Sequence, residues 1–390
     1  MTAGRPRFAA VAVLALLASS SAASSRIGPT ARASGAPGAS ATRTRVPLWK
    51  IVYTRADGRL GVWMSNQRRL FALEGVPADP GSIGNWPAAW SPDGKDIAFA
   101  RAKGQTGIYV VRVGHGRPRR LFTTDQEAYG VALAWSPDGR TLAFSVDCVD
   151  DPSVTGCRGV TALYTIHRDG TGLRQLTSVP AQALSIPQIW GDAWSPDGRR
   201  IAYIVTYTST GNAPGDALYT ISAAGGRPRL IARETPDRAL AAPSWAPNGR
   251  LIAYGACHIT RLGSHALCDL VVRPSSGGKP RVLLRGFVET GLWRAAWTPD
   301  SRTLLRGQGL ALYAINVQSG RRRTVLRHFA AAIAVAGDGR TFAFIPDAAA
   351  PSPSLATLSG RVIDKGPRIP FYSGVGPTNG GPGTASLWID

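Results

Sequence analysis

From residue 48 onward, short apolar runs alternate with polar turns, and the runs recur in a fixed order. One run alternates strictly, as Ile97-Ala-Phe99, Leu142-Ala-Phe144, Ile201-Ala-Tyr203, Ile252-Ala-Tyr254 and Phe342-Ala-Phe344. After a variable polar loop comes a second, as Ile108-Tyr-Val-Val111, Leu163-Tyr-Thr-Ile166, Leu218-Tyr-Thr-Ile221 and Leu312-Tyr-Ala-Ile315. A Gly-containing turn leads to a third, as Arg119-Arg-Leu-Phe122, Arg174-Gln-Leu-Thr177, Arg229-Leu-Ile231 and Arg281-Val-Leu283. The period of two and the β-branched and aromatic content make these runs strands. Helical periodicity is nearly absent after residue 48.

Each unit opens on one phrase: Trp90-Ser-Pro-Asp-Gly-Lys95, Trp135-Ser-Pro-Asp-Gly-Arg140, Trp194-Ser-Pro-Asp-Gly-Arg199, Trp245-Ala-Pro-Asn-Gly-Arg250 and Trp297-Thr-Pro-Asp-Ser-Arg302. A sixth copy, Val335-Ala-Gly-Asp-Gly-Arg340, lacks the Trp and Pro. The markers lie 45, 59, 51, 52 and 38 residues apart, the period of a repeat built from one small sheet per unit. Pro presets φ for a tight turn, Asp bonds a neighbouring N–H, and Gly accepts a positive φ. The Trp before the turn is a large apolar plate by which one unit adheres to the next. With the strand that ends in this Trp, each unit holds four antiparallel strands, the content of one β-propeller blade.

The two ends are complementary. Ile51-Val-Tyr-Thr54, Gly61-Val-Trp-Met64 and Arg69-Leu-Phe71 read as a blade without its first strand, and Ala385-Ser-Leu-Trp-Ile-Asp390 reads as the missing piece. The sequence therefore predicts an all-β propeller over 48–390, closed by its C-terminal strand. Counting Trp388 with the internal markers gives seven blades; six is the alternative if the Val335 unit is incomplete.

The phrase Trp-Ser-Pro-Asp-Gly-Lys/Arg, followed by Ile-Ala-Phe/Tyr, Leu-Tyr-x-Ile and Arg-x-Leu, resembles the TolB-type propeller repeat, also called the WD40-like or PD40 repeat. True WD40 repeats fit worse, since no unit carries the Gly-His and Trp-Asp pair. The resemblance implies the fold and a tendency to bind proteins or cell-envelope partners. It does not extend to the α/β domain that precedes the propeller in TolB, because only a linker stands there. Nor does it extend to a hydrolase domain of the prolyl oligopeptidase kind, because no Gly-x-Ser-x-Gly elbow occurs.

The N-terminus reads as an export signal over 1–23: Arg5 and Arg7, an apolar core from Phe8 to Ala18, then small residues around Ala22 and Ala23. The apolar core falls short of the ~20 residues that span a bilayer. Residues 24–47 are rich in Ser, Ala, Gly and Arg and read as a disordered linker. The expected location is outside the cytoplasm: periplasmic, cell-surface or secreted. An oxidising compartment also suits the cysteines, since Cys148 and Cys157 flank one loop and Cys257 and Cys268 flank the same loop two units later. Each pair is expected to form a local disulfide. The rival for the second pair is a zinc site from Cys257, His258, His265 and Cys268.

Net charge is +21, which favours polyanions. The expected partners are an envelope or secreted protein and an anionic cell-surface polymer; no module for specific nucleic-acid reading is present. The alternative treats the arginines as solvated residues scattered over every blade. No transmembrane span and a monomeric state are expected.

One constellation is a candidate ligand site. Trp86, Trp190 and Trp293 each precede a marker Trp by four residues, with Asp192 and Arg294 beside them. Strand periodicity would set them on equivalent faces at one mouth of the channel, where aromatics stack on sugars or grip a peptide. The alternative makes them fillers between blades. Asp147, Asp150 and Asp151 crowd one loop and are the candidate calcium ligands, without EF-hand order. No cofactor is otherwise indicated, and no catalytic residue is nominated. The reading is thus an exported, non-catalytic binding propeller, with a propeller lyase or glycan hydrolase acting at the channel mouth as the alternative.

Overall fold

The computed structural model describes residues 46–55, 59–73, 88–101, 106–124, 132–146, 160–180, 185–209, 215–235, 237–258, 266–289, 295–308, 311–327, 330–346, 352–368 and 385–390. The expected export segment (1–23), residues 24–45 of the expected linker, and the Cys148–Cys157 loop with Asp147, Asp150 and Asp151 lie outside them. All described elements are strands, in seven antiparallel four-stranded sheets.

Blade 1 orders its strands Ala385–Ile389, Trp49–Thr54, Leu60–Met64 and Arg69–Ala72. The others run in chain order. Blade 2 holds Ala88–Trp90, Asp96–Arg101, Thr106–Arg112 and His115–Thr124, and blade 3 holds Leu133–Trp135, Thr141–Val146, Val160–His167 and Arg174–Pro180. Blade 4 holds Ser185–Trp194, Arg200–Ser209, Ala217–Ser222 and Arg229–Arg233, and blade 5 holds Arg238–Trp245, Leu251–His258, Ala266–Pro274 and Arg281–Glu289. Blade 6 holds Ala296–Trp297, Thr303–Gln308, Ala311–Asn316 and Arg322–Leu326, and blade 7 holds Ala330–Val335, Thr341–Pro346, Ser354–Thr357 and Val362–Lys365. First strands touch one another from blade to blade, including blade 7 against blade 1 and blade 1 against blade 2, so they form the inner wall of the ring.

The core is divided among the joints rather than gathered in one centre. Seven buried apolar clusters each combine residues of two neighbouring blades. The last joins Trp49, Ile51, Tyr53 and Trp63 of blade 1 to Ala343, Ile345 and Leu355 of blade 7. Removing this surface from water contributes roughly 25 cal/mol per Å² and holds the blades face to face. Seven blades is therefore the correct count, with the Val335 unit a full blade.

The C-terminal strand closes the ring as the sequence predicts, pairing Trp49↔Ile389 through Tyr53↔Ala385. Its register differs from the expected one by a residue. In blades 2 and 3 the marker Trp stands opposite the first residue of the alternating triplet, Trp90↔Ile97 and Trp135↔Leu142. In blade 1 the residue opposite Ile51 is Leu387, and Trp388 pairs with Lys50. One residue of slip exchanges the two faces of a strand, so Trp388 is not a seventh marker.

Candidate functional site

The signature turns are polar networks closed on themselves. In blade 2 the Ser91 hydroxyl donates to Asp93 Oδ1 (2.5 Å), which also accepts the Lys95 N–H (3.1 Å), while Ser91 Oγ accepts the Asp96 N–H (2.9 Å). Blades 3, 4 and 6 repeat this with Ser136/Asp138, Ser195/Asp197 and Thr298/Asp300. The hydroxyl and N–H bonds hold the carboxyls of Asp138, Asp197 and Asp300 below the usual carboxylate range. Burial opposes ionisation of Asp93, but Ser91, the Lys95 N–H and Arg168 outweigh it. These acids are engaged by the hydrogen bonds of their own turns.

The marker Trp residues serve the joints. Trp135 Nε1 donates to the Ala89 carbonyl (3.1 Å), Trp194 to Ala134 (3.0 Å) and Trp245 to Ala193 (3.0 Å), each acceptor being the residue before the marker in the preceding blade. Trp297 reaches Ser244 in the same way. Trp90, whose preceding blade begins with the shifted C-terminal strand, has an indole N–H without a partner among the described residues.

A second series of bonds crosses the joints at the rim. The Arg of each Arg-x-Leu run, or its counterpart, donates to a carbonyl in the turn before the fourth strand of the next blade. Arg119 reaches Arg168, Arg174 reaches Ala224 (2.7 Å), Arg229 reaches Ser276, Arg281 reaches Gln318 (2.5 Å) and Arg323 reaches Leu358 (2.7 Å). The alternative reading of the charge counted the arginines as solvated residues scattered over every blade. The acceptors lie 35 to 50 positions away, so no local pattern reveals them.

Of the predicted ligand residues, Trp86, Trp293 and Arg294 lie outside the described residues, as does the side chain of Asp192. Trp190 is half-buried, and its indole N–H donates to Gln188 Oε1 (3.2 Å). The strand carrying it is bulged between Trp190 and Ala193, with Gly191 at φ +72°. Trp190 and Trp194 are thus not related by the plain alternation assumed from sequence. Cys257 and Cys268 stand directly opposite in blade 5 and form a disulfide, which removes the thiolates that the rival zinc site needed.

Near the same ends of the strands, the joint of blades 4 and 5 holds an ionic cluster that sequence reading missed. Asp216 is 8% exposed. Its Oδ2 accepts the Leu240 N–H of the next blade (2.8 Å), and its carbonyl accepts the Glu234 N–H (2.9 Å). Burial pushes its pKa up to about 6, against the pull of the Leu240 and Tyr207 amides and with help from Glu234. Arg238 lies 3.5 Å from Glu234 and 3.8 Å from Asp269, which Arg285 also meets at 3.5 Å. At the signature-turn end, a cleft of about 600 Å³ between blades 3 and 4 is bordered by His167, Trp194, Asp138 and Asp197. Both of its acids are already bonded within their turns.

Residues 76–258 match the family model of the TolB β-propeller domain. The repeats within that stretch are of the TolB type. No curated protein matches it. A puromycin-hydrolyzing peptidase of Mycobacterium tuberculosis is similar at 19% identity and TM-score 0.58, over 84% of this chain and 52% of that one. This chain therefore spans about half of that peptidase. An oligogalacturonate lyase in complex with manganese is similar at 15% identity and TM-score 0.54, over 82% and 84% of the two chains. A protein described as a 6-phosphogluconolactonase of Bacteroides uniformis is similar at 16% identity and TM-score 0.53, over 88% and 99%. At such identities the likeness shows the fold, which this ring shares with proteins of different activities.

Proposed function

We propose that this TolB-type propeller is an exported binding module that docks an envelope or secreted protein at the end of the ring opposite its signature turns. The observation that carries the reading is where the polar groups are engaged. At the signature-turn end, the described turn carboxylates and most marker indoles hold turns and joints together, so they act as scaffold. Toward the other end, half-buried Trp190 of blade 4 and the Arg238 cluster at the joint of blades 4 and 5 supply an aromatic and several charged groups, the composition of an interface anchor. Export is supported by the apolar segment behind Arg5 and Arg7 and by the Cys257–Cys268 disulfide, which suits an oxidising compartment.

The test is cross-linking of the mature protein in its native envelope fraction, with Trp190→Ala and Arg238→Ala variants beside it. One stoichiometric protein adduct, weakened at least tenfold by either variant, is expected. Absence of any protein adduct, or turnover of a glycan substrate with stoichiometric calcium, would replace the binding reading by the enzymatic one.

A further inference from the structure

The charge of this ring is sorted by radius. The inner first strands carry Asp192 and Arg238 as their charged residues, whereas each fourth strand, at the circumference, carries at least one Arg or Lys. The acids in those outer strands are Asp364 and Glu289. The turns leading into them add exposed Arg227, Lys279, Arg321 and Arg361 against exposed Asp169. The outer strands and the turns leading into them thus form a basic belt.

Two features suit this belt to ligand binding beyond keeping sheet edges apart. The five rim arginines that cross the joints are exposed and bonded to neutral carbonyl oxygens. Their positions are fixed by acceptors that carry no charge, and Arg119 also feels the nearby carboxylate of Asp169. They occupy equivalent positions at consecutive joints from blade 2 to blade 7, which makes a periodic arc. The belt is also mostly Arg, whose planar fork meets an oxyanion through paired bonds, where Lys offers a point charge.

We propose that the rim is a docking belt for a flexible linear polyanion, whose oxyanion groups meet successive guanidiniums around the circumference. Flexibility is required because the surface curves from blade to blade, and duplex DNA stays straight over roughly 50 nm. The belt is separate from the protein-docking end and does not depend on that reading.

Binding of long-chain inorganic polyphosphate and of polygalacturonate to the purified mature protein, followed by fluorescence anisotropy, tests it. At least one should bind and weaken tenfold or more between about 50 and about 200 mM salt; which one binds distinguishes phosphate from carboxylate chemistry. The triple variant Arg117→Glu, Arg227→Glu, Arg321→Glu alters exposed belt residues outside the inter-blade bonds and should lose at least tenfold in affinity. The variant Arg199→Glu, Arg250→Glu, Arg340→Glu makes the same change of charge in the inner turns and should stay within threefold of the parent. Equal losses in both variants would reduce the effect to net charge and overturn the belt. So would binding of neither polymer, or tighter binding of duplex DNA than of both.

Discussion

The joints between blades 2 and 7 and the joint that closes the ring solve the same problem with opposite polarity. At the serial joints the fourth strand of one blade lends an Arg to a backbone carbonyl of the next. At the closing joint the turn of blade 1 lends Arg68 to the outer strand of blade 7, where it meets Asp364 Oδ1 (3.0 Å) and the Lys365 carbonyl (2.9 Å). Asp364 Oδ2 also accepts the indole N–H of fully buried Trp49 (3.1 Å), whose ring packs 4.3 Å from Trp63. Neighbouring blades are held close by a short connection, so a neutral acceptor suffices. Partners some 300 positions apart must be selected from the whole chain, and here the ring uses a carboxylate, two tryptophans and a shared strand.

Removing Ala385–Asp390 strikes this difference hardest. It exposes the edge of Trp49–Thr54 and deletes several main-chain hydrogen bonds, each contributing about 1 kcal/mol. A loss of ~3 to 5 kcal/mol in urea unfolding is expected. An unchanged midpoint would mean that the ring does not need its shared strand.

Asp216 tests a serial joint through pH. Its folded pKa lies above the ordinary carboxyl value, so the folded state holds the proton more tightly than the unfolded chain does. Stability from this group therefore grows as pH falls from about 6 toward 4 and is lost above 6. Asp216→Asn keeps an acceptor for the Leu240 N–H and removes the titration. The variant should exceed the parent by on the order of 2 kcal/mol at pH 8 and match it near pH 4. Parallel stability curves across that range would refute the assignment.

At the closing joint, Asp364→Ala leaves the buried Trp49 N–H without its acceptor and should cost about 1 to 2 kcal/mol. Arg68→Ala removes a side chain 62% exposed and should cost under about 0.5 kcal/mol. Equal costs would mean that the ion pair, rather than the indole bond, fastens the joint.

What could be read from the sequence follows from how far apart the interacting residues are. The Trp-Ser-Pro-Asp-Gly phrase describes a turn whose bonds span two to five positions, so its strands, its blade and its repeat were all legible. Closure by Ala385–Asp390 was legible because the strand resembles an internal one, but its register was not, because Leu387 and Trp388 are both apolar and only the pairing separates them. The rim arginines look solvated because their acceptors are carbonyls one blade away. Asp216 carries no local mark at all, since its burial is produced by blade 5 folding over it. The proposed Trp mouth was legible as a pattern only; Trp190 has a defined place, behind a bulge that alternation does not predict.

The smallest effect concerns two neighbouring irregular turns. Ser301 occupies the position that is Gly in the other signature turns and adopts φ +60°, as Gly249 does at +71°. A non-Gly residue in this left-handed region costs about 1 kcal/mol. Its hydroxyl oxygen, in return, accepts the Asn248 N–H (3.0 Å) of blade 5, whose own turn has Ala246 where blades 2, 3, 4 and 6 have Ser or Thr. The irregular turn of blade 6 therefore repairs the irregular turn of blade 5. Ser301→Gly relieves the backbone and loses the acceptor, so it should be close to neutral. Ser301→Ala loses the acceptor and keeps the strain, so it should fall below Ser301→Gly by about 1 kcal/mol. Since both variants lack the hydroxyl, their difference in thermal unfolding isolates the backbone cost, and equal stability of the two would show that φ at this position carries none.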